Sequence, residues 1–418
     1  MTAESLTVVR AGRLVDTIAG EVRRAQVVAI RGERIESVGA DEGRYPEGAR
    51  VIDLSSFTVT PGLIDCHAHL VGLEEDEGTT DYSALLGRTG AQEALSGVRN
   101  ARRTLSAGFT TVRDVGTFRA FVDVALRHAI DAGWTPGPRM RCAGAYVTCS
   151  TGGGDIPAVA PDVVVPRELR FGVANSVDEV RRVVREILHG GADFIKVIAT
   201  GAVMTRGTHP GAPEFSEVEI RAAVEEAALY GTHVAAHAHG PEGIKRAVRA
   251  GARSIEHGSL MDDESIELMA ERGTYLVADI YNGDWIAQTG RAHGWAEEIL
   301  RKNDETTQAQ RDGFRKAVKA GVKIAYGTDS GIYPHGLEAR QLPYMVRYGM
   351  TPMQAIQSAT IVAAELLAWE DRVGSVEPGR YADLVAVEGD VVDRELEAFS
   401  DVAFVMKAGE VQKDTRVP

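Results

Sequence analysis

From Asp65 onward the sequence alternates short apolar runs of strand length with amphipathic stretches of helical period, and this alternation restricts the fold more than any other feature. Eight runs read as strands: DCHAHL, TTVRDV, RMRCAGAYV, DFIKVIA, HVAAHAH, SIEH, TYLVADIY and KIAYGTD. Helical spacing is clearest at 177–188, 217–229, 242–250, 263–271 and 306–320. These stretches end at Gly190, Gly231, Gly251, Gly273 and Gly321, the residue type that most easily takes the left-handed turn after a helix. Strand, helix, strand repeated in this way predicts the α/β class and, with eight strands, a (β/α)8 TIM barrel over 61–367.

The flanks read differently. Residues 5–57 and 373–414 carry short β-rich runs separated by turns, with no helical period between them. A chain of 418 residues with 44% apolar content can bury a large core, and a barrel of roughly 250–300 residues plus a small satellite accounts for its length. No run of about 18 apolar residues marks a membrane span, and Met1-Thr-Ala-Glu-Ser lacks the basic and apolar regions of a secretory signal. A cytoplasmic location is therefore expected. Cys66, Cys142 and Cys149 are too few for a disulfide framework and read as thiols in a reducing compartment. A net charge of −14 argues against nucleic acid as partner.

Chemistry gathers at the ends of the predicted strands. In a strand, residues i and i+2 face the same side, so His67 and His69 converge on one point. Cys66 lies between them and should point away. Lys196, His237, His257 and Asp329 follow, each where its own strand would end, and barrel enzymes place their chemistry at those ends. Imidazoles and a carboxylate converging in this way suit a transition metal, zinc above all.

The order His-x-His, Lys, His, His, Asp resembles the metal-dependent amidohydrolase superfamily. The segments FIKVIATG, AAHAHG, SIEHG and YGTDSG are most similar to its branch of imidazolonepropionase-like proteins and Xaa-Pro and Xaa-Arg dipeptidases. The resemblance implies that the two chain ends, 1–60 and 368–418, pair into one small β-sandwich, with Glu377-Pro-Gly-Arg-Tyr-Ala-Asp-Leu384 as its C-terminal signature. It also implies two divalent ions, Zn2+ by preference: His67, His69 and Asp329 on one, His237 and His257 on the other, and a carboxylated Lys196 bridging them. His237 and His239 share strand parity, and the resemblance favours His237 as ligand. His239 is left to polarise the substrate carbonyl, hold the leaving group or support a ligand. Asp329 is expected to take a proton from the attacking water and pass it to the departing nitrogen.

The loops are less decisive. Thr148–Gly154 is Gly-rich but lacks the Gly-Lys-Ser/Thr ending of a phosphate loop, and reads as a flexible segment beside the site. Arg206 or His209 is a candidate to hold a substrate carboxylate, against the plainer reading of solvated loop residues. Asp279 and Tyr281 share a face with Tyr275 and Val277 and are candidate substrate contacts. The acidic run Glu74–Glu77 reads as a solvated loop. The expected activity is hydrolysis of an amide-like C–N bond in a small-molecule or dipeptide-like substrate by a homo-oligomer that binds no membrane. A dipeptidase or carboxypeptidase releasing a C-terminal residue comes first; an amidase for aryl amides, ureas, carbamates or cyclic amides is the alternative.

Overall fold

A computed structural model describes residues 6–72, 82–156, 159–160, 162–392 and 396–416. The acidic run Glu74–Glu77 lies outside them. Four strands open the chain: β1 (Leu6–Asp16), β2 (Glu21–Arg31), β3 (Arg34–Ala40) and β4 (Arg50–Pro61). β1 runs antiparallel to β2 and parallel to β4.

The central strands follow: β5 (Leu63–Ala68), β6 (Phe109–Asp114), β7 (Arg139–Cys142), β8 (Tyr146–Val147), β9 (Ile195–Ile198), β10 (Val234–Ala238), β11 (Ser254–His257) and β12 (Tyr275–Val277). All their pairings are parallel, in the orders β5-β6-β7 and β8-β9-β10-β11-β12. Every residue of β5, β6, β9, β10, β11 and β12 is buried, as parallel strands covered on both faces require. The cover comes from helices such as Val177–His189, Glu217–Leu229, Pro241–Ala250 and Asp263–Arg272. Their apolar stripes, Val180, Val183, Val184 and Ile187 on the first for example, pack on the strands in one continuous core. Side-chain oxygens of Ser176, Ser216 and Asp262 cap three of these helices at their N-termini.

Three sequence expectations need correction in detail. The single strand expected over 139–147 breaks at Ala143-Gly144-Ala145, where Gly144 has a φ of 73°. Its first half pairs with β6 and its second with β9. The helix expected from residue 306 starts nine residues earlier and runs over Glu297–Ala320. Its first turns are too charged to show a clear apolar stripe, and they bury Lys302 and Asn303 beside Ile299. The eighth expected strand, Lys323–Asp329, makes only isolated parallel bridges, Leu276↔Ile324 to β12 and Ala68↔Ser330 beside β5. Those bridges nevertheless set it between the two parallel sheets, with Cys66 N donating to Tyr326 O at 2.8 Å and Leu276 N to Lys323 O at 2.8 Å.

The C-terminal strands β13 (Leu384–Glu388), β14 (Phe404–Lys407) and β15 (Glu410–Asp414) return to the N-terminal ones. β13 pairs antiparallel with β4, which gives one mixed seven-stranded sheet, β15-β14-β13-β4-β1-β2-β3. Ile35 of β3 and Phe404 and Met406 of β14 belong to one buried cluster, so the sheet curls until its distant strands share a core. Among the described residues no helix is long and apolar enough to cross a membrane.

Candidate metal centre

His67 stands at the end of β5 and His69 two residues on, and each ring is held by its Nδ1. His67 Nδ1 donates to Glu256 Oε2 at 2.8 Å, and His69 Nδ1 donates to the Gly116 carbonyl at 2.7 Å. Both Nε2 lone pairs are thereby turned toward Asp329, whose Oδ1 lies 3.5 Å from His67 Nε2 and 3.2 Å from His69 Nε2. Three acceptors facing one point call for a cation between them.

A second group adjoins the first. The rings of His237, His239 and His257 lie with centroids 4.6–4.8 Å apart, and His257 is 4.7 Å from His67. One donor atom from each of His67, His257 and Asp329 falls within a span of 4.8 Å, and so does one from each of His237, His239 and His257. His237 Nε2 donates to the Gly201 carbonyl at 3.3 Å, leaving Nδ1 as its free lone pair, while His239 Nδ1 sits 2.8 Å from Ser259 Oγ. Burial and the neighbouring His257 push His239 down to about 3, and burial with Lys196 and the other rings holds His67 and His237 below the ordinary imidazole range. Neutral imidazole is the form that binds a metal.

Lys196 completes the set. Its Nζ is buried among these rings with no hydrogen-bond partner. Burial pushes it down to about 8, with Arg113 acting in the same sense and Glu256 opposing. An orphaned amine in a nest of acceptors fits a group that works in some form other than free ammonium.

Two residues in the centre depart from ordinary backbone geometry. His257 has a φ of 68° and Asp329 a φ of 57°, values uncommon outside glycine and asparagine. For His257 the consequence is visible. Ser254 and Glu256 share one face of β11 and both bond Arg113, yet His257, of opposite parity, reaches the same centre because the left-handed turn swings it inward. Strain of this kind persists only where the surroundings enforce it.

The sequence reading passed over the residues that orient the histidines. Arg113 of β6 is fully buried and donates to Glu256 Oε1 at 2.7 Å and Oε2 at 2.8 Å, to Ser254 Oγ at 3.0 Å and to the Cys66 carbonyl at 2.5 Å. Burial alone would raise the Glu256 carboxyl, but Arg113, Lys196 and His67 hold it below the usual range, so it is the anion that His67 needs. The signal was available in part: an arginine and a glutamate within expected core strands, Arg113 in TTVRDV and Glu256 in SIEH, each need a partner of opposite charge. Burial would raise the Asp279 carboxyl, but the charge and hydrogen bond of His257, with His67 adding to them, hold it at about 2; it accepts from Gln310 Nε2 at 2.7 Å and from Asn282 Nδ2 at 3.2 Å.

A cavity of about 160 Å3 opens over the centre. Val71, Phe118, Ile198, Met204, Ile286 and Ile332 supply apolar wall, and Asn282, Asn303, Thr306 and Gln310 supply a polar strip. Asp279 and His239 line it; Arg206, His209 and Tyr281 do not. Tyr281 lies past the end of β12, where strand parity no longer applies, and packs against Tyr333 and Tyr344 with its hydroxyl 3.3 Å from Arg340 Nη1. Arg206 and His209 are exposed, because Lys302 holds the carbonyls of Ala202 and Thr205 and turns Arg206 and Gly207 outward. Cys66 faces away from the imidazoles into apolar packing. The Gly-rich segment expected to be flexible is tied down: Gly153 N donates to Glu214, and Thr205 Oγ1 donates to Gly153 O at 2.6 Å.

That tie carries a pH prediction. Burial raises Glu214 from 4.5 to about 7, against the lowering effect of the Gly153 N–H. A carboxyl raised by folding contributes stability fully below 4.5 and loses it as pH climbs through about 7. Between pH 5 and 8 the wild type should therefore lose about 1–2 kcal/mol relative to Glu214→Gln, the partial exposure of the group being allowed for. Thermal melts of the two proteins across that range check it; curves that stay parallel would refute it.

A model of the amidohydrolase family matches residues 58–413. The chain belongs to that family. It is therefore a hydrolase, of a kind acting on C–N bonds. Ochratoxinase of Aspergillus niger is 34% identical over 98% of this chain and 87% of that protein. The crystal structure of a Xaa-Pro dipeptidase with bound methionine is 36% identical, covers 97% of this chain and 99% of that one, and superposes with a TM-score of 0.89. The structure of the ochratoxinase superposes at 0.86 with 32% identity, over 98% of this chain and 96% of that one. Amidohydrolases typically use divalent metal, and the histidine and aspartate groups here suit one.

Proposed function

We propose that this amidohydrolase cleaves a C–N bond of the amide type in small molecules whose acyl or leaving side is apolar. The wall of Val71, Phe118, Ile198, Met204, Ile286 and Ile332 carries this reading, since among the described residues no guanidinium lines the cavity to clasp a free carboxylate. A dipeptidase or carboxypeptidase releasing a C-terminal residue is the second reading, favoured by the likeness to the Xaa-Pro dipeptidase.

His67, His69 and Asp329 would hold one divalent ion and His237 and His257 the other, with Lys196, carboxylated, between them; the donor set favours Zn2+. Bound there, the ions supply the charge that acidifies a water and polarises a carbonyl. The chain's own groups do the rest. Asp329 accepts the proton of the attacking water and delivers it to the departing nitrogen. His239, neutral and at the cavity wall, is placed to donate to the carbonyl oxygen, and Asp279 holds His257. The apolar wall excludes bulk water and strengthens each of these interactions.

The same reading takes the parallel strands, joined through 323–330, as a (β/α)8 barrel over 61–367. The curled terminal sheet is then the β-sandwich of 1–60 and 368–418, and the assembly is a cytoplasmic homo-oligomer. The test is a hydrolysis screen over N-acyl amino acids, dipeptides and anilides with metal analysis of the same sample. Two ions per chain and fastest turnover of amides with a bulky apolar group are expected. At most one tightly held ion after supplementation, or exclusive turnover of polar dipeptides, would refute it.

A further inference from the structure

Asn282 opens the helix Asn282–His293 directly above the centre, is only 4% exposed and stands in the cavity wall. Its Nδ2 donates to Asp279 Oδ2 at 3.2 Å and to Asp329 Oδ2 at 3.1 Å. Two carboxylates that only accept fix the orientation of the amide, because the reverse would press Oδ1 against two anionic oxygens. Oδ1 is thus committed to the other side, where it is buried and has no donor. Buried acceptors are rarely left unmatched, and one beside the reacting groups is matched when its donor arrives.

We propose that Asn282 is a specificity-determining residue whose Oδ1 accepts the N–H of the scissile amide, so that the enzyme selects secondary amides over tertiary, prolyl-type ones. This rests on the amide-hydrolase reading above. The leaving nitrogen must come to Asp329 to receive its proton, and one amide group links Asp329 to the orphaned oxygen. Water adds its oxygen to the acyl carbon, and the C–N bond breaks with its electron pair on nitrogen. Nitrogen takes the proton that Asp329 carried and keeps the hydrogen it had throughout, which stays donated to Asn282. A prolyl nitrogen has no hydrogen to give. The likeness to a Xaa-Pro dipeptidase therefore does not extend to the leaving group.

Three matched substrates test this: an N-aroyl amino acid, its N-methylated counterpart and the ester analogue with oxygen in place of N–H. Each is assayed with wild type and with Asn282→Leu, which keeps the branching of the side chain and removes the acceptor. Ratios of kcat/KM within one preparation cancel active fraction and metal content. The amide-to-ester ratio should fall about tenfold in Asn282→Leu, the weight of one hydrogen bond, while the N-methyl-to-ester ratio should not fall. Asn282→Ala should behave likewise if the leucine variant fails to fold. Wild type alone also decides, since it should cleave the secondary amide at least about tenfold faster than the N-methyl one. Unchanged ratios, or equal cleavage of both amides by wild type, overturn this inference alone. A metal-loaded enzyme that cleaves only the ester overturns the amide reading and this inference with it.

Discussion

Asp329→Asn should lower the turnover number by about 10²–10⁴-fold, the usual worth of general acid–base catalysis, while metal content falls only modestly. Asparagine is the informative substitution for three reasons. It matches aspartate in size and keeps one oxygen. It also tolerates the left-handed backbone, a φ of 57°, that position 329 requires. The wild-type carboxylate serves two sides at once, with Oδ1 facing His67 and His69 Nε2 and Oδ2 accepting from Asn282 Nδ2. An amide can supply an oxygen to only one of them. With an ion bound, its oxygen will face the histidines and its NH2 will meet the Asn282 NH2, so one hydrogen bond is lost but the fold is not threatened. What disappears is the group able to take and return a proton. Single-turnover kinetics with metal analysis on the same sample separate the two effects. A variant with full metal content and near wild-type turnover would show that another group moves the proton, and His239 would be the next to change.

Most of the centre was legible because it obeys strand rules. His67 and His69 converge by i, i+2 parity, and Lys196 and His237 lie where parallel strands end, so reading residues at strand ends was enough to collect them. Reading failed where the backbone leaves the strand. Tyr281 was assigned to a face by extending alternation four residues past the end of β12, into a turn that leads to a helix. His257 and Asp329 were collected at strand ends as well, yet strand alternation does not account for how they turn inward, since left-handed φ values bring them in. Arg206 and His209 were placed by their position on the loop after the fourth expected strand, but Lys302, about a hundred residues later, shapes that loop. Arg113, Glu256, Asn282 and Gln310 act through contacts between elements far apart in the chain, and no local pattern names the partner in such contacts. The same limit applies to the terminal sheet: its β-rich segments were plain, but the pairing of β4 with β13 depends on closing a loop of more than three hundred residues.

Lys196→Ala should cost at least about 10²-fold in activity, the scale of removing one preorganised electrostatic group, and its rescue should reveal in what chemical form the lysine works. Burial with Arg113 nearby holds its amine at about 8 instead of 10.5, so about a tenth of it is neutral at pH 7, against fewer than about one in a thousand for an ordinary lysine. The neutral amine has the lone pair to form an N–C bond with carbon dioxide, and the proton released on nitrogen leaves to solvent. The product is an extended carboxylate at a site ringed by imidazoles, where Nζ of the free lysine is left without a hydrogen-bond partner. Truncation to alanine leaves a space of that shape. Acetate or propionate, supplied in the absence of bicarbonate, should enter it and restore part of the activity and part of the second metal ion. Methylamine or ethylamine should not. Restoration by amines alone would mean that Lys196 acts as a cation or a base, and full activity of Lys196→Ala without any additive would sink the carboxylated lysine altogether.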